Sequence, residues 1–343
     1  MTASETRPKR SRQMLPDYLL SEEQLEAMYR YMLLSRRLDE RMMTLNRQGR
    51  ADFVIGGAGQ EAAQVGAGMA LQAGVDYVAP YYRDMGVMLV LGMTPREAML
   101  NAFAKRDDPN AFGRQMPSHW ASVERRVLTQ SSVVATQLVH VVGVALAAKM
   151  RDDPIVALAS CGEGSTSRGD FHEALNFAAI HKLPVIFYVE NNGYAISEST
   201  EKEMPVAHVA DRAAAYGIQS AVVDGLDAIA VYQTVRPAVD QARRGAGPFL
   251  IEAKCHRLWA HSSDDDQTRY RPRKELEDWT QKDPVGLFRA RIESDGLFPK
   301  EDLDTIEAEV EAEVRAAADW AITQPDPAPE DALGFVYRET ADG

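Results

Sequence analysis

The stretch IVALASCGEGSTSRGDFHEALNFAAIHKLPVIFYVENN, residues 155–192, constrains the fold more than any other part of the chain. IVALAS and PVIFYVE are apolar without alternation, so strands built from them need cover on both faces. Between them DFHEALNFAAIHK has helical spacing, with Asp170 as the expected N-cap and Glu173 at the capping-box position. A strand, a helix and a second strand of these lengths form a right-handed crossover between parallel neighbours. QSAVVD, a helical pattern around 227–244 and PFLIEAKC repeat the theme. The expected fold class is α/β, a parallel sheet covered by helices on both faces, with helical N- and C-terminal extensions.

Ser21 and Gln24 form a capping box ahead of Leu25, Met28 and Met32, which predicts a long helix ending near Gly49. Residues 60–72 and 94–106 also read as helices, and AGVDYVAPYYRD (73–84) reads as turn and loop. Periodicity fades from Lys105 to Ser132, and KRDDPNAFGRQMPSHWASVERR predicts a long ordered loop of the functional kind. TQLVHVVGVALAAKM (136–150) is apolar on nearly every side and predicts a buried helix. After Cys255 the chain turns polar, and residues 300–323 form a charged helix. The expected organisation is a flexible basic arm over 1–18, one domain over 19–325 with a mobile loop at 260–273, and a C-terminal tail over 326–343.

A net charge of −13 argues against nucleic acid or an anionic membrane as partner, since both reward a basic face. No apolar run approaches the roughly 18 residues of a membrane span. Cys161 and Cys255 form no metal or disulfide spacing, and the basic start lacks the apolar core of a secretory signal. The expected setting is the reducing cytoplasm.

Two turns at the strand ends carry chemistry. Glu163 stands between Gly162 and Gly164 straight after the first strand, and Asn191 and Asn192 follow the second. In parallel sheets ligands bind outside the carboxyl ends of the strands, so one crossover brings acid and amide to the same edge. A carboxylate, an amide oxygen and backbone carbonyls are hard ligands that suit Mg²⁺ or Ca²⁺ rather than zinc. Gly162, Gly164 and Gly193 let the backbone approach an anion, and the following helix N-terminus favours a phosphate. Either turn alone is an ordinary strand end. Two of them flanking one βαβ unit point to a site.

GEGSTSRGDFHEALNFAAIHKLPVIFYVENN also resembles the thiamin-diphosphate motif, a Gly-acid-Gly followed about thirty residues later by Asn-Asn. PYYRDMG, GRQMPSHW, SSVVATQ, NNGYAIS, VDGLD and HSSDDDQTRYR occur in the order of an alpha subunit of the 2-oxoacid dehydrogenase decarboxylase component. The resemblance spans roughly residues 20–325. GRQMP and the acids after HSS are most similar to the branched-chain (2-oxoisovalerate) type.

The resemblance implies that Glu163, Asn192 and the main-chain carbonyl of Tyr194 bind the Mg²⁺ of thiamin diphosphate, although most thiamin enzymes carry Asp in place of Glu163. Tyr82 and Arg83 match the pair that reaches the diphosphate, a task suited to an Arg fork. Read without the family, Arg83 would form a surface ion pair with Asp84. Gly162 and Gly164 lie beside the cofactor, and Ser132 and Val134 match the aminopyrimidine side. Ser131, Thr136 and Gln137 match a potassium site in some relatives, where Pro replaces Val133. His261 matches a catalytic-loop histidine beside the thiazolium, with Ala260 where some relatives carry a second His. Ser262 matches a serine phosphorylated by a kinase in animal relatives. His119 and Trp120 are candidates for lining the substrate channel, and His140, His172, His181 and His208 read as structural.

The implied activity is oxidative decarboxylation of 2-oxoacids such as 2-oxoisovalerate, with reductive acylation of lipoyl groups on an acyltransferase component. In that family the glutamate that activates the aminopyrimidine belongs to a beta subunit. The chain is therefore expected to work only in an α2β2 heterotetramer, with helix 136–150 as a candidate contact. A pyruvate or acetoin dehydrogenase alpha subunit is the nearest alternative, and a paralogue that has lost catalysis is another. A third rival rests on DFVIGGAGQEAAQVG (52–66), whose Gly57, Gly59 and Ala62 fit the dinucleotide fingerprint of an NAD-dependent oxidoreductase. That fingerprint needs a strand before it and an acid about twenty residues after it. Asp76 and Asp84 are the candidate acids.

Overall fold

The computed structural model describes residues 10–334. Five parallel strands form the central sheet: β1 (Tyr77–Ala79), β2 (Ala157–Gly162), β3 (Val185–Asn191), β4 (Gln219–Asp224) and β5 (Phe249–Lys254). Their order across the sheet is β1-β2-β3-β5-β4. β2 and β3 run in register from Ala157 opposite Val185 to Gly162 opposite Glu190, so their carboxyl ends finish together. The unbroken apolar runs are used on both faces. Leu158, Ile186 and Tyr188 join one core, and Ala159, Phe187 and Val189 join the other.

The first core is roofed by α1 (Glu22–Arg47), α2 (Glu61–Met69), α3 (Met85–Val90), α4 (Pro95–Ala102), α7 (Ala228–Arg243), α9 (Pro284–Ser294) and α10 (Lys300–Ile322). The second is covered by α5 (Thr136–Met150) and α6 (Gly169–Ile180). A short α8 (Arg273–Thr280) precedes α9. Both halves of the Ser21–Gln24 capping box are formed at the start of α1. Among the described residues no helix is long and apolar enough to cross a membrane.

Three expectations are corrected. Residues 77–79, read as loop, are the edge strand β1, because Asp76 at its start is buried rather than solvated. Its carboxylate accepts from Val156 N at 2.9 Å and pairs with Arg243 at 2.8 Å. Asp170 does not cap α6: a 3-10 turn over Glu163–Ser167 runs on from β2, the N-cap is Arg168, and Asp170 lies in the first helical turn. α5 is buried on one side only. Leu138, Val141, Val142, Ala145 and Ala148 pack inward, while Val139 and Met150 are 41% and 78% exposed.

The first nine residues of the expected arm and residues 335–343 of the expected tail lie outside the described residues. The rest of the arm is tied down, for Arg10 pairs with Glu26 at 2.5 Å and with Asp302 at 2.6 Å. In the tail, Asp326 pairs with Lys105 at 2.7 Å.

α1 and α2 are locked by a buried ion pair, Arg36 Nε to Glu61 Oε1 at 2.6 Å, with Asp283 accepting both guanidinium termini at 3.0 and 2.9 Å. Removing one partner of a buried pair leaves a charge without compensation. Arg36→Met is expected to lower the unfolding free energy by about 3–5 kcal/mol, read from urea denaturation. A change within the error of that measurement would contradict this role.

Candidate active site

β2 ends at Gly162 and Glu163 opens the 3-10 turn beyond it, while Asn191 closes β3. The two ends touch: Asn192 N donates to Glu163 Oε2 at 3.1 Å. Asn192 Oδ1 accepts from Tyr194 N at 3.3 Å, and its amide nitrogen faces Gln60 Oε1 at 3.4 Å. Glu163 Oε1 is buried and has no hydrogen-bond partner. Burial pushes this carboxyl up to about 7. Gly164 is required by packing, since a Cβ there would lie 2.6 Å from the Cβ of Ala195.

These ends form the floor of a cavity of about 370 Å³. Tyr82, Arg83, Ser132, Val134, Gly162, Glu163, Gly164, Asn192, Tyr194 and His261, all singled out in the sequence, line it together. Ser262 faces a neighbouring cavity with Glu40, Asp265 and Asp266. The three potassium candidates are not joined by hydrogen bonds. Ser131 Oγ accepts from Val133 N, Thr136 reaches Asp170 at 3.5 Å, and Gln137 Nε2 donates to Ser160 O at 2.9 Å. Gln137 Oε1 is buried without a partner.

Arg83 is buried and does not pair with Asp84, whose carboxylate accepts instead from Tyr81 N and the Ser160 hydroxyl. Its guanidinium donates to Gly56 O and to His261 O, and lies 3.1 Å from His261 Nδ1. Arg257, which the sequence reading did not single out, lines the same cavity and is also buried. It donates to Ile196 O and to the Tyr270 hydroxyl, each at 3.0 Å, and burial together with Arg83 lowers its pKa. Neither guanidinium has a carboxylate partner among the described residues, an arrangement that calls for an anion from outside the chain.

Arg83 can only donate, so His261 Nδ1 accepts and the ring proton resides on Nε2. Burial, Arg83 and Arg257 push this histidine down to about 4, which leaves it neutral near pH 7. His119 hydrogen-bonds Ser132 through Nε2 and so supports the cavity wall. Trp120 is 1% exposed in the helical core and faces a small cavity with Asp39, Phe53 and Ile55. The Tyr81 hydroxyl and Gln60 Nε2 are further buried groups without partners at or beside the cavity. Tyr81 lies in the PYYRDMG stretch without a role of its own there, and Gln60 and Arg257 carry no motif role.

The dinucleotide fingerprint finds no support. Residues 51–60 form no strand ahead of Gly57 and Gly59, and Asp76 and Asp84 are committed to the buried contacts described above.

Residues 29–330 match the family model described as dehydrogenase E1 component. The chain belongs to this family. Its members depend on thiamin diphosphate. The chain is 50% identical over 320 residues to 2-oxoisovalerate dehydrogenase subunit alpha of Bacillus subtilis (strain 168), covering 93% of this chain and 97% of that one. It is 38% identical over 325 residues to the pyruvate dehydrogenase E1 component subunit alpha of Bacillus cereus, covering 93% and 84%. To the subunit of the same description in Bacillus subtilis (strain 168) it is 36% identical over 326 residues, covering 95% and 84%.

His256 lies beyond the cavity, stacked on Trp279 with ring centroids 4.2 Å apart, and burial pushes it down to about 4. Its ordinary value is 6.5, so between 6.5 and 4 the unfolded chain binds more protons than the folded one. The histidine's contribution to stability is complete above about 6.5 and is lost as the pH falls towards about 4. Urea midpoints measured from pH 7 to pH 4.5 are expected to fall less steeply for His256→Phe than for the wild type. Parallel profiles would contradict the assignment.

Proposed function

We propose that this chain is the alpha subunit of a branched-chain 2-oxoacid dehydrogenase, catalysing oxidative decarboxylation of acids such as 2-oxoisovalerate and reductive acylation of lipoyl groups on an acyltransferase. It works with a beta subunit in an α2β2 assembly and uses thiamin diphosphate and Mg²⁺. One observation carries this reading: Arg83 and Arg257, buried without carboxylates, share a cavity with a buried Glu163 oxygen that has no partner. An anionic diphosphate answers the guanidiniums, and a hard cation answers the carboxylate. The likeness to the 2-oxoisovalerate dehydrogenase subunit at 50% identity, against 36–38% for the pyruvate dehydrogenase subunits, supports the branched-chain substrate.

Glu163, the Asn192 side chain and the Tyr194 carbonyl would hold Mg²⁺. Among the described residues no group of three His, Cys, Asp or Glu is placed to hold a metal, which fits a metal that arrives with the diphosphate oxygens as ligands. Thiamin diphosphate, when bound, supplies the carbon nucleophile and electron sink for loss of CO₂. Tyr82, Gly162 and Gly164 would flank it, and Ser132 and Val134 would face the aminopyrimidine. His261, its ring held by Arg83 at Nδ1, would offer its Nε2 proton to the reacting group. Gln137 Oε1, buried without a partner, favours a potassium ion held with Ser131 and Thr136. A phosphate on Ser262 would add negative charge beside Asp264, Asp265 and Asp266 and loosen the loop that carries His261. The beta subunit would cover the exposed apolar side chains of α5 and α6: Val139, Met150, Phe177 and Ile180.

The test is co-expression with a beta subunit, followed by assay of 2-oxoisovalerate and pyruvate with thiamin diphosphate, Mg²⁺ and a dye acceptor. The expected result is turnover of the branched acid, none by the chain alone, and a loss of about 100-fold or more in Glu163→Ala, as befits a metal ligand. Faster turnover of pyruvate would overturn the substrate assignment. Full activity of Glu163→Ala would overturn the metal site.

A further inference from the structure

The segment that carries the glycine run at 56–59 touches Arg83 and the chain on both sides of His261. Gly56 O accepts from the Arg83 guanidinium. On the same segment Val54 O accepts from Ser263 N at 2.8 Å, and Val54 N donates to Ser263 Oγ at 3.2 Å. Ala58 O accepts from Leu258 N at 3.0 Å. Residues 54–58 therefore hold Arg83 and grip the His261 loop on both sides of the histidine. The run must be glycine-rich because the parts lie so close: a Cβ on Gly57 would stand 2.7 Å from Arg83 O, and one on Gly59 would meet His256 O.

One side chain fixes this bracket from below. Asp39, in the middle of α1 and 2% exposed, accepts from Gly57 N at 2.7 Å. We propose that Asp39 is a positioning residue for the reaction: its carboxyl sets the 54–58 segment, and through it the aim of Arg83 and His261 into the cavity. Without that acceptor, Gly57 N becomes a buried donor without a partner, and the segment must shift to reach water. Displacements of an ångström at a catalytic centre cost ~10- to 100-fold in rate even when the change lies outside it.

The inference rests on the proposed function, and its test separates the two. In the assembled α–β enzyme, Asp39→Leu removes the acceptor, and Asp39→Asn keeps one with the same shape. Thiamin diphosphate affinity is measured by calorimetry with Mg²⁺ present, and kcat and KM for 2-oxoisovalerate by the dye assay. In Asp39→Leu the expected result is cofactor binding and kcat each weakened by about tenfold or more, with KM for the oxoacid nearly unchanged. Asp39→Asn should recover most of both. If Asp39→Leu does not assemble, Gly56→Ala carries the same expectation, since its Cβ would press on Asp39 Oδ2 from 2.9 Å. Folded variants with wild-type Kd and kcat would overturn the inference. So would losses that only follow the fraction of folded enzyme. A wild-type assembly that takes up no thiamin diphosphate would overturn the functional reading itself, and this inference with it.

Discussion

Two buried guanidiniums with no carboxylate partner among the described residues organise this molecule. Arg83 and Arg257 are both buried at the carboxyl edge of the sheet. Arg83 donates to two backbone carbonyls beside a histidine, Arg257 to a carbonyl and a tyrosine hydroxyl, and Arg257 Nε is left without a partner. A guanidinium stays charged at any physiological pH, so burying it without a counter-ion costs stability unless a ligand supplies one. Glu163, which lines the same cavity, is itself buried with one oxygen unsatisfied. On the proposed function, a diphosphate with its metal answers both the guanidiniums and the carboxylate.

The sheet makes this arrangement possible. β2 and β3 end together, and their crossover returns both turns to one edge, where Asn192 N meets the Glu163 carboxylate. β1, three residues long, brings Tyr81, Tyr82 and Arg83 to the same edge. Helices on both faces make the strands rigid, so the site is defined by strand ends and short turns rather than by flexible loops. The one long segment involved, around His261, is gripped by residues 54–58, by Asp265 through His261 N at 2.7 Å, and by Arg271 on the Arg257 carbonyl at 2.7 Å.

Much of this was legible in the sequence wherever the cause was local. Unbroken apolar runs specify strands covered on both sides, and β2, β3 and β5 lie where IVALAS, PVIFYVE and PFLIEAKC predict them. Ser21 and Gln24 cap α1 because a capping box needs only four neighbouring residues. What stayed hidden has non-local causes. β1 is short and its leading Asp76 reads as a solvated turn residue until Arg243 and Val156 are brought against it. Trp120 sits in a polar stretch but folds back into the core of α1 and α4. Arg257 follows the last strand in no recognised motif, and only the fold brings it to the cavity. Asp39 reads as an ordinary helix acid, since the amide it holds, Gly57 N, is eighteen residues further along.

In the proposed function the crevice between β2 and β3 receives a divalent metal together with thiamin diphosphate. The most direct measurement is anomalous diffraction from crystals of the α–β assembly grown with thiamin diphosphate, with Mn²⁺ in place of Mg²⁺. The expected result is one metal peak per alpha chain, bounded by Glu163 Oε1, the Asn192 side chain and the Tyr194 carbonyl, with the diphosphate against Arg83 and Arg257. A bound cofactor whose metal lies away from Glu163, or whose diphosphate leaves both guanidiniums untouched, would contradict it.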